Sequence, residues 1–227
     1  MSRNDARRRI CFFDSKGLVV KGRTNLNGKK QLYAHNMREE TNLANVIETE
    51  KSSILIGVSG QPNTFDESIL RKMAQLNDRP LIFALSNPTS KSECTAEQAY
   101  SWTEGRAIFA SGSPFDPVRW KHTTFYPGQG NNAYIFPGVG LGVVVSRASH
   151  VTDEMFIIAA ETLAEMVTED DVKRGRLYPA LAKIRDISCK IAVNVAKVAF
   201  NTNISGIPKP ENLAKCVRDS MFEPTYK

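Results

Sequence analysis

Short apolar runs alternate with segments of helical periodicity through the first half of the chain. Four runs have the length of buried strands, and each is followed by small or polar residues: Ile10–Phe13, Ser53–Val58, Pro80–Leu85 and Ala107–Ala110. Between them the pattern predicts helices at Leu43–Glu50, Asp66–Leu76 and from Thr95 to near Gly105. This alternation is typical of βαβ units built around a parallel sheet.

Two helix starts carry the spacing of a capping box, in which a hydroxyl and a side chain three residues later satisfy each other's backbone donors. Thr64 with Glu67 and Thr95 with Gln98 both fit this spacing. Between the first two strands, residues 24–42 are polar and rich in Asn and Lys. They are expected to form a surface excursion.

The second half of the chain is predicted to be mostly helical. The pattern indicates helices at Gly138–Ser146, Thr152–Val167 and Ile184–Phe200. In the last of these, four apolar residues fall on one face, which is typical of a helix packed on a core: Ile187, Ile191, Val195 and Val198.

Three predicted strands end in small or polar residues, which lie at 14–16, 57–60 and 86–88. In doubly wound sheets, ligands bind at the carboxyl ends of the strands. Asp14 stands where a carboxylate bonds an adenosine ribose, and Ser15 with Lys16 suits a ribose 2′-phosphate. The alternative for Asp14–Lys16 is a polar turn with a solvated lysine.

The segment FYPGQGNNAYIFPGVGLG at 125–142 places two adjacent amides, Asn131 and Asn132, behind a glycine-containing loop. Glycine allows a ligand to approach the backbone closely, and neutral amides both donate and accept hydrogen bonds. The combination suits a bound carboxylate or carboxamide. A loop whose asparagines satisfy its own turns is the alternative.

Composition narrows the class of protein. The 227 residues are 41% hydrophobic and 24% charged, which suits one sizeable globular domain. No apolar run approaches the ~18–20 residues that span a bilayer, so no membrane partner is predicted.

The positive residues behind the net charge of +6 are scattered, without interleaved aromatic residues, and predict a solvated surface rather than a nucleic-acid site. Four cysteines without a CxxC motif are expected to be reduced thiols in a cytoplasmic protein, with mitochondrial and plastid locations as alternatives.

Five blocks of sequence together resemble the malic enzyme family of NADP type, in order and in spacing, over about Asp5 to Tyr226. They are FFDSKGLVVKGR at 12–23, LIFALSNPTSKSECTAEQAY at 81–100, GRAIFASGSPFDPV at 105–118, the 125–142 segment and GRLYPAL at 175–181. The sequence departs from the family pattern at Gln61–Asn63, where a further glycine is usual.

The resemblance implies an α/β fold: an incomplete Rossmann-like, doubly wound parallel sheet that lacks its first strand and glycine-rich turn, followed by C-terminal helices. It implies an NAD(P)-binding domain over residues 1–200. Residues 201–227 are expected to form a tail that packs on this domain or on a neighbouring subunit.

The resemblance also implies oxidative decarboxylation of L-malate to pyruvate and CO2 with reduction of NADP, NAD being the alternative cofactor. The general base and acid, and the ligands of an Mn or Mg ion, are expected upstream of this chain, so no catalytic or metal-ligating residue is assigned within it. Alone, the chain is expected to be inactive; the whole enzyme is expected to be a homo-oligomer, a dimer or tetramer.

The resemblance assigns two sets of site residues. The substrate set is Asn87, Asn131 and Asn132. The cofactor set is Asp14, Ser15, Lys16, Val58, Ser59, Gly60, Ser86 and Asn87.

Two further hypotheses of different class stay open. In one, the chain is a non-catalytic relative that acts as a dinucleotide-binding or subunit-interaction module. In the other, its basic charge binds nucleic acid, which predicts a DNA affinity that falls steeply with salt.

Overall fold

The computed structural model describes residues 1–24 and 26–223. The chain forms two compact units, Met1–Phe109 and Ala110–Lys227. No helix among the described residues has both the length and the apolar character needed to cross a bilayer.

The first unit alternates short strands and helices, as the hydrophobic pattern predicts. Its elements are α1 (Arg3–Arg8), β1 (Phe13–Asp14), β2 (Gly17–Leu18), α2 (Gly28–Gln31), α3 (Leu43–Glu50), β3 (Ile54–Gly57), α4 (Glu67–Leu76), β4 (Leu81–Ala84) and α5 (Ala96–Trp102). Strand β5 (Ile108–Ser111) includes the boundary between the two units. The polar segment 24–42, predicted as a surface excursion, contains the short helix α2.

A parallel four-stranded sheet has the order β3-β4-β5-β8, where β8 is Gly128–Gln129. Strands β3 and β4 run in register from the pair Ile54 and Leu81 to the pair Gly57 and Ala84. The α/β class and three of the four predicted strands are therefore confirmed.

The predicted strand Ile10–Phe13 is wrong. Only Phe13 is in a strand, and β1 pairs antiparallel with β2 in a two-residue hairpin. The backbone N–H of Val19 donates to the carbonyl of Phe12 at 2.8 Å, which satisfies this segment locally. A parallel strand requires a neighbour to receive its backbone bonds, and within the described chain the only strand paired with this segment is β2.

The two predicted capping boxes have different outcomes. The Thr95–Gln98 box is confirmed, with both reciprocal bonds present. The Thr64–Glu67 box is wrong, because Asp66 is the residue that caps α4 and accepts from the N–H of Ile69 at 2.9 Å. The carboxylate next to the first turn takes the position for which a hydroxyl was predicted.

The second unit begins with short strands and continues as helices. Its elements are β6 (Val118–Trp120), β7 (Thr123–Phe125), β8 (Gly128–Gln129), α6 (Phe136–Ser146), α7 (Asp153–Glu165), α8 (Glu169–Lys173), α9 (Ile184–Asn201) and α10 (Leu213–Asp219). Strands β6 and β7 form an antiparallel hairpin, and β8 pairs in parallel with the end of β5. The sequence pattern did not predict these three strands.

The apolar face predicted for α9 is confirmed, since its four residues lie in one buried cluster with α6 and α7 residues. Helix α10, within the predicted tail, packs on α9 through the buried residues Leu213 and Val217. The boundary at residue 200 stays a prediction, and residues 224–227 of the tail lie outside the described part of the chain.

Candidate functional site

The carboxyl ends of β3 and β4 lie side by side and bring predicted cofactor residues together. Gly57 pairs with Ala84 in the register of the two strands, and the N–H of Leu85 donates to the Gly57 carbonyl at 2.9 Å. Beyond the strands, the N–H of Gly60 donates to the hydroxyl of Ser86 at 2.8 Å. Residues from two separate sequence motifs therefore share one edge of the sheet.

Glu93 joins these strand ends, and sequence reasoning missed it. Its side chain is fully buried, with 0% exposure. The carboxylate accepts from the N–H and hydroxyl of Ser59, at 3.1 and 3.2 Å, and from the N–H and hydroxyl of Ser86, the former at 3.3 Å. In the sequence, Glu93 is distinguished only by its position two residues before Thr95, the N-cap of α5. That position does not predict that its side chain is buried.

Gly57 makes the room that Glu93 occupies. A Cβ at position 57 would lie 2.5 Å from both Cγ and Cδ of Glu93, and 2.8 Å from Cζ of Phe65. These separations are far inside van der Waals contact, so a strand residue with any side chain would displace the carboxylate.

The hydroxyls of Ser59 and Ser86 are engaged within the protein. Ser59 Oγ donates to Glu93 and accepts from the N–H of Gln61 at 3.2 Å, while Ser86 Oγ bridges Gly60 and Glu93. The two serines thus shape the backbone of this edge. Val58, which is 75% exposed, lies at the solvent-facing side of this edge, and Ser59 and Asn87 are exposed there as well. Direct cofactor contact by any of these residues stays a prediction.

Asp14 lies in a cluster of positive charge. Its carboxylate accepts from two guanidinium nitrogens of Arg23, at 3.0 and 3.1 Å, from the ammonium of Lys30, and from the backbone N–H of Lys16 at 3.0 Å. The hydrogen bonds from Arg23, followed by those from Lys30 and Lys16, hold the pKa of Asp14 well below its usual range. Arg23 and Lys30 carry two positive charges against the single carboxylate, so the cluster is cationic.

Asp14→Asn is expected to lower the free energy of unfolding by about 1.5 kcal/mol near neutral pH, because charged hydrogen bonds to Arg23 and Lys30 are lost. A carboxyl group whose pKa is depressed by folding stabilises the fold above its unfolded pKa, near pH 4, and loses that contribution as the pH falls toward the folded value. Urea denaturation measures the difference in unfolding free energy between the unsubstituted chain and Asp14→Asn. This difference should be constant above about pH 5 and shrink below about pH 4. Asp78→Asn, the same change at an exposed aspartate, is the control. If the difference in unfolding free energy grew as the pH fell, Asp14 could not be a carboxylate whose pKa is lowered by Arg23 and Lys30.

Asn131 and Asn132 belong to the second unit, whereas Asn87 belongs to the first. Asn131 caps a single 3-10 turn over Asn132–Tyr134, and its side-chain oxygen accepts from the N–H of Ala133 at 2.8 Å. Both amides are exposed. The self-capping turn that the sequence left open is therefore present at Asn131, and the predicted substrate role of both residues stays a prediction.

Tyr134 anchors the loop that carries these asparagines. Its hydroxyl donates to the carbonyl of Pro179 at 2.7 Å, and its ring stacks on Tyr178 with a centroid separation of 5.4 Å. The asparagines are thus exposed on a segment with a buried aromatic support.

Neither a metal cluster nor a reactive thiol is found at these strand ends. Within residues 1–24 and 26–223, no group of three or more His, Cys, Asp or Glu side chains could hold a metal ion. Cys94 is buried, and burial, followed by the charge of Glu93, raises its pKa to about 12. Because thiolates are the reactive form, this cysteine is inert near neutral pH.

Comparison with solved structures agrees with this architecture. A malic enzyme from Entamoeba histolytica matches with a TM-score of 0.69 at 24% identity, over 93% of this chain and 43% of that one. A malic enzyme from Pyrococcus horikoshii matches with a TM-score of 0.55, also at 24% identity, over 74% of this chain and 35% of that one. At this identity the likeness concerns the fold.

Curated relatives match at higher identity. NADP-dependent malic enzymes from Columba livia and Homo sapiens are 49% and 48% identical over 228 residues and cover 100% of this chain. One from Vitis vinifera is 48% identical over 225 residues and covers 98%. The chain spans only 38% to 41% of the length of these relatives. A family model described as the NAD binding domain of malic enzyme matches residues 1–200, and the chain therefore belongs to the malic enzyme family, as its NAD(P)-binding portion.

Proposed function

We propose that this chain supplies the NADP-binding part of an enzyme that oxidises and decarboxylates L-malate to pyruvate and CO2. The observation that carries the proposal is the joined edge at the ends of β3 and β4, where Gly60, Ser86 and Asn87 stand together in a member of this family. The carboxyl ends of parallel strands are the usual dinucleotide site of doubly wound sheets.

NADP is favoured over NAD by the charge around Asp14. A solvated carboxylate beside the adenosine ribose suits the two ribose hydroxyls and repels a 2′-phosphate. Here Arg23 and Lys30 already neutralise Asp14, and Lys16 adds a further positive charge. Compact ammonium groups bind phosphate as point charges. The relatives named above are NADP-dependent enzymes, which supports the same choice.

The proposed roles of the three asparagines are positional. An amide does not titrate near neutral pH, so Asn87, Asn131 and Asn132 would orient malate and the nicotinamide rather than move protons. When bound, NADP supplies the hydride acceptor. Because the described residues contain no metal cluster, the proposed Mn or Mg ion would need ligands from another part of the enzyme.

Calorimetric titration of the 227-residue chain with NADP+ and NAD+ tests the proposal. We expect NADP+ to bind at least about tenfold more tightly, and the chain alone not to oxidise malate. Lys16→Glu should weaken NADP+ about tenfold or more while changing NAD+ by less than about threefold, because only NADP+ carries the 2′-phosphate.

Lys209→Glu places the same charge reversal on an exposed lysine outside the predicted site. If it weakens NADP+ as much as Lys16→Glu does, the effect is one of overall charge and the assignment of Lys16 is wrong. A chain that binds neither dinucleotide would overturn the proposed function.

One observation favours a subunit-interaction module as the second candidate. Strand β3 is at the edge of the sheet, and two of its isoleucines, Ile54 and Ile56, are about half exposed, at 51% and 55%. Apolar edge strands are prone to pair with other chains. Native mass spectrometry without added cofactor would favour this candidate if it found stable assemblies, provided that titration found no dinucleotide binding.

The cytoplasmic location expected from the sequence stays a prediction.

A further inference from the structure

We propose that Glu93 is a positioning residue for the dinucleotide, holding the ends of β3 and β4 at the spacing that the cofactor needs. This inference rests on the proposed function, because it assumes that the joined strand ends form the cofactor site. Glu93 itself is fully buried and so acts through the backbone that it holds.

The carboxylate is matched to four donors from two strand ends. Its Oε1 accepts from the N–H and hydroxyl of Ser59 and from the hydroxyl of Ser86, and its Oε2 accepts from the N–H of Ser86. Ser59 and Ser86 are 34 and seven residues away from Glu93 along the chain. One side chain therefore fixes two segments that the sequence alone does not connect.

The hydroxyl of Ser86 extends the network to the residue that follows Ser59 in the loop after β3. It donates to Glu93 and accepts from the N–H of Gly60, at 2.8 Å. Gly60 has a φ of +67°, a conformation that glycine adopts without strain. The Glu93 carboxylate thus orients the loop after β3, where a close approach of ligand to backbone is expected.

The network requires an acceptor at both carboxylate oxygens. Glutamine has nearly the same shape, but one of its two positions is an NH2 donor. If the amide oxygen of glutamine took the position of Oε1 and accepted its three donors, the NH2 group would take the position of Oε2. The NH2 group and the N–H of Ser86, both donors, would then face each other. That repulsion would move the exit of β4, which carries Asn87.

The placement of Glu93 argues for a role in ligand binding as well as in folding. A buried charge is costly, and apolar residues of similar volume are often at least as stabilising. Within the described residues Glu93 forms no ion pair, and all its partners are hydrogen-bond donors of the two strand ends. A group that only filled the core would need neither the charge nor these partners.

Two ligands separate positioning from general stability. The probe 2′,5′-ADP carries only the phosphate-bearing adenosine half expected near Asp14–Lys16, whereas NADP+ also requires the ends of β3 and β4. Glu93→Gln should weaken NADP+ at least about tenfold and 2′,5′-ADP less than about threefold, measured by calorimetry well below the melting temperature. Hydrogen exchange should show that Ser59, Gly60 and Ser86 lose protection while Leu55 keeps it.

Glu97→Gln is the matched control, since it makes the same change at an exposed glutamate four residues away. It should leave both affinities unchanged. Equal weakening of NADP+ and 2′,5′-ADP by Glu93→Gln would mean that Glu93 is merely structural, and unchanged affinities would likewise overturn the inference.

Two further outcomes remain decisive. If the unsubstituted chain binds neither ligand, the proposed function fails and this inference fails with it. If it binds both and Glu93→Gln does not fold, Ser86→Ala removes a single bridge of the same network and leaves Glu93 three donors. It should weaken NADP+ selectively, by about threefold or more; a non-selective loss would again count against positioning.

Discussion

Replacing Gly142 with alanine is expected to lower the free energy of unfolding of the second unit by about 3 kcal/mol. A Cβ at position 142 would lie 2.7 Å from the carbonyl oxygen of Ala192 and 2.8 Å from Cβ of Val195, both on α9. One of these atoms is backbone, so no change of rotamer can relieve the contact. Helix α6 would have to move away from α9 and open the core cluster that they share.

Gly140→Ala is the matched control, on the same helix and with the same added methyl group. A Cβ at position 140 meets nothing within 4 Å. Since alanine is the better helix former by up to about 1 kcal/mol, this variant should be slightly more stable than the parent. Urea denaturation followed by far-UV circular dichroism measures both. Equal stabilities for the two variants would show that α6 and α9 are not held by this close approach.

The sequence predicts much of the fold where a pattern depends on local periodicity. Helix α9 places Ile187, Ile191 and Val195 at helical spacing, and all three are buried. Strands β3, β4 and β5 are short apolar runs between polar residues, and each forms within a residue or two of the predicted bounds. In these segments propensity, pattern and tertiary packing favour the same structure.

The predictions fail where pairing partners decide the structure. Residues 10–12 are as apolar as the true strands, yet the segment bonds into a local hairpin. Conversely, Gly128–Gln129 has no strand propensity, but it pairs with the end of β5. Hydrophobic pattern alone contains no information about which backbone groups find a neighbour.

The candidate site divides in the same way. Strand-end residues were predictable because parallel strands place their carboxyl ends at one edge, and Gly60 and Ser86 do meet there. Glu93 was not predictable, because its donors come from segments distant in sequence and a lone glutamate usually lies on the surface. The engagement of Asp14 by Arg23 and Lys30 likewise depends on the folded loop.

Gly57→Ala is expected to lower the free energy of unfolding of the first unit by about 3 kcal/mol or more. The added methyl would lie 2.5 Å from Cγ and Cδ of Glu93. The strand cannot retreat easily, because its carbonyl accepts from Leu85 and its register with β4 is fixed. Glu93 would therefore leave its place, and the donors of Ser59 and of the buried Ser86 would lose their acceptor.

Gly22→Ala serves as the control for Gly57→Ala, because a Cβ there meets nothing within 4 Å; it should change the free energy of unfolding by less than about 0.5 kcal/mol.

A double-mutant cycle in urea denaturation tests whether the clash with Glu93 causes the loss in Gly57→Ala. Glu93→Ala removes the two carbons that the new methyl would strike. The combined variant should then be more stable than the sum of the single losses predicts, by about 1 kcal/mol or more. The added methyl would still lie 2.8 Å from Cζ of Phe65, so removal of the Glu93 side chain would relieve only part of the steric clash. Strict additivity would mean that Gly57 and Glu93 act independently, and the place of glycine at the end of β3 would then need another cause.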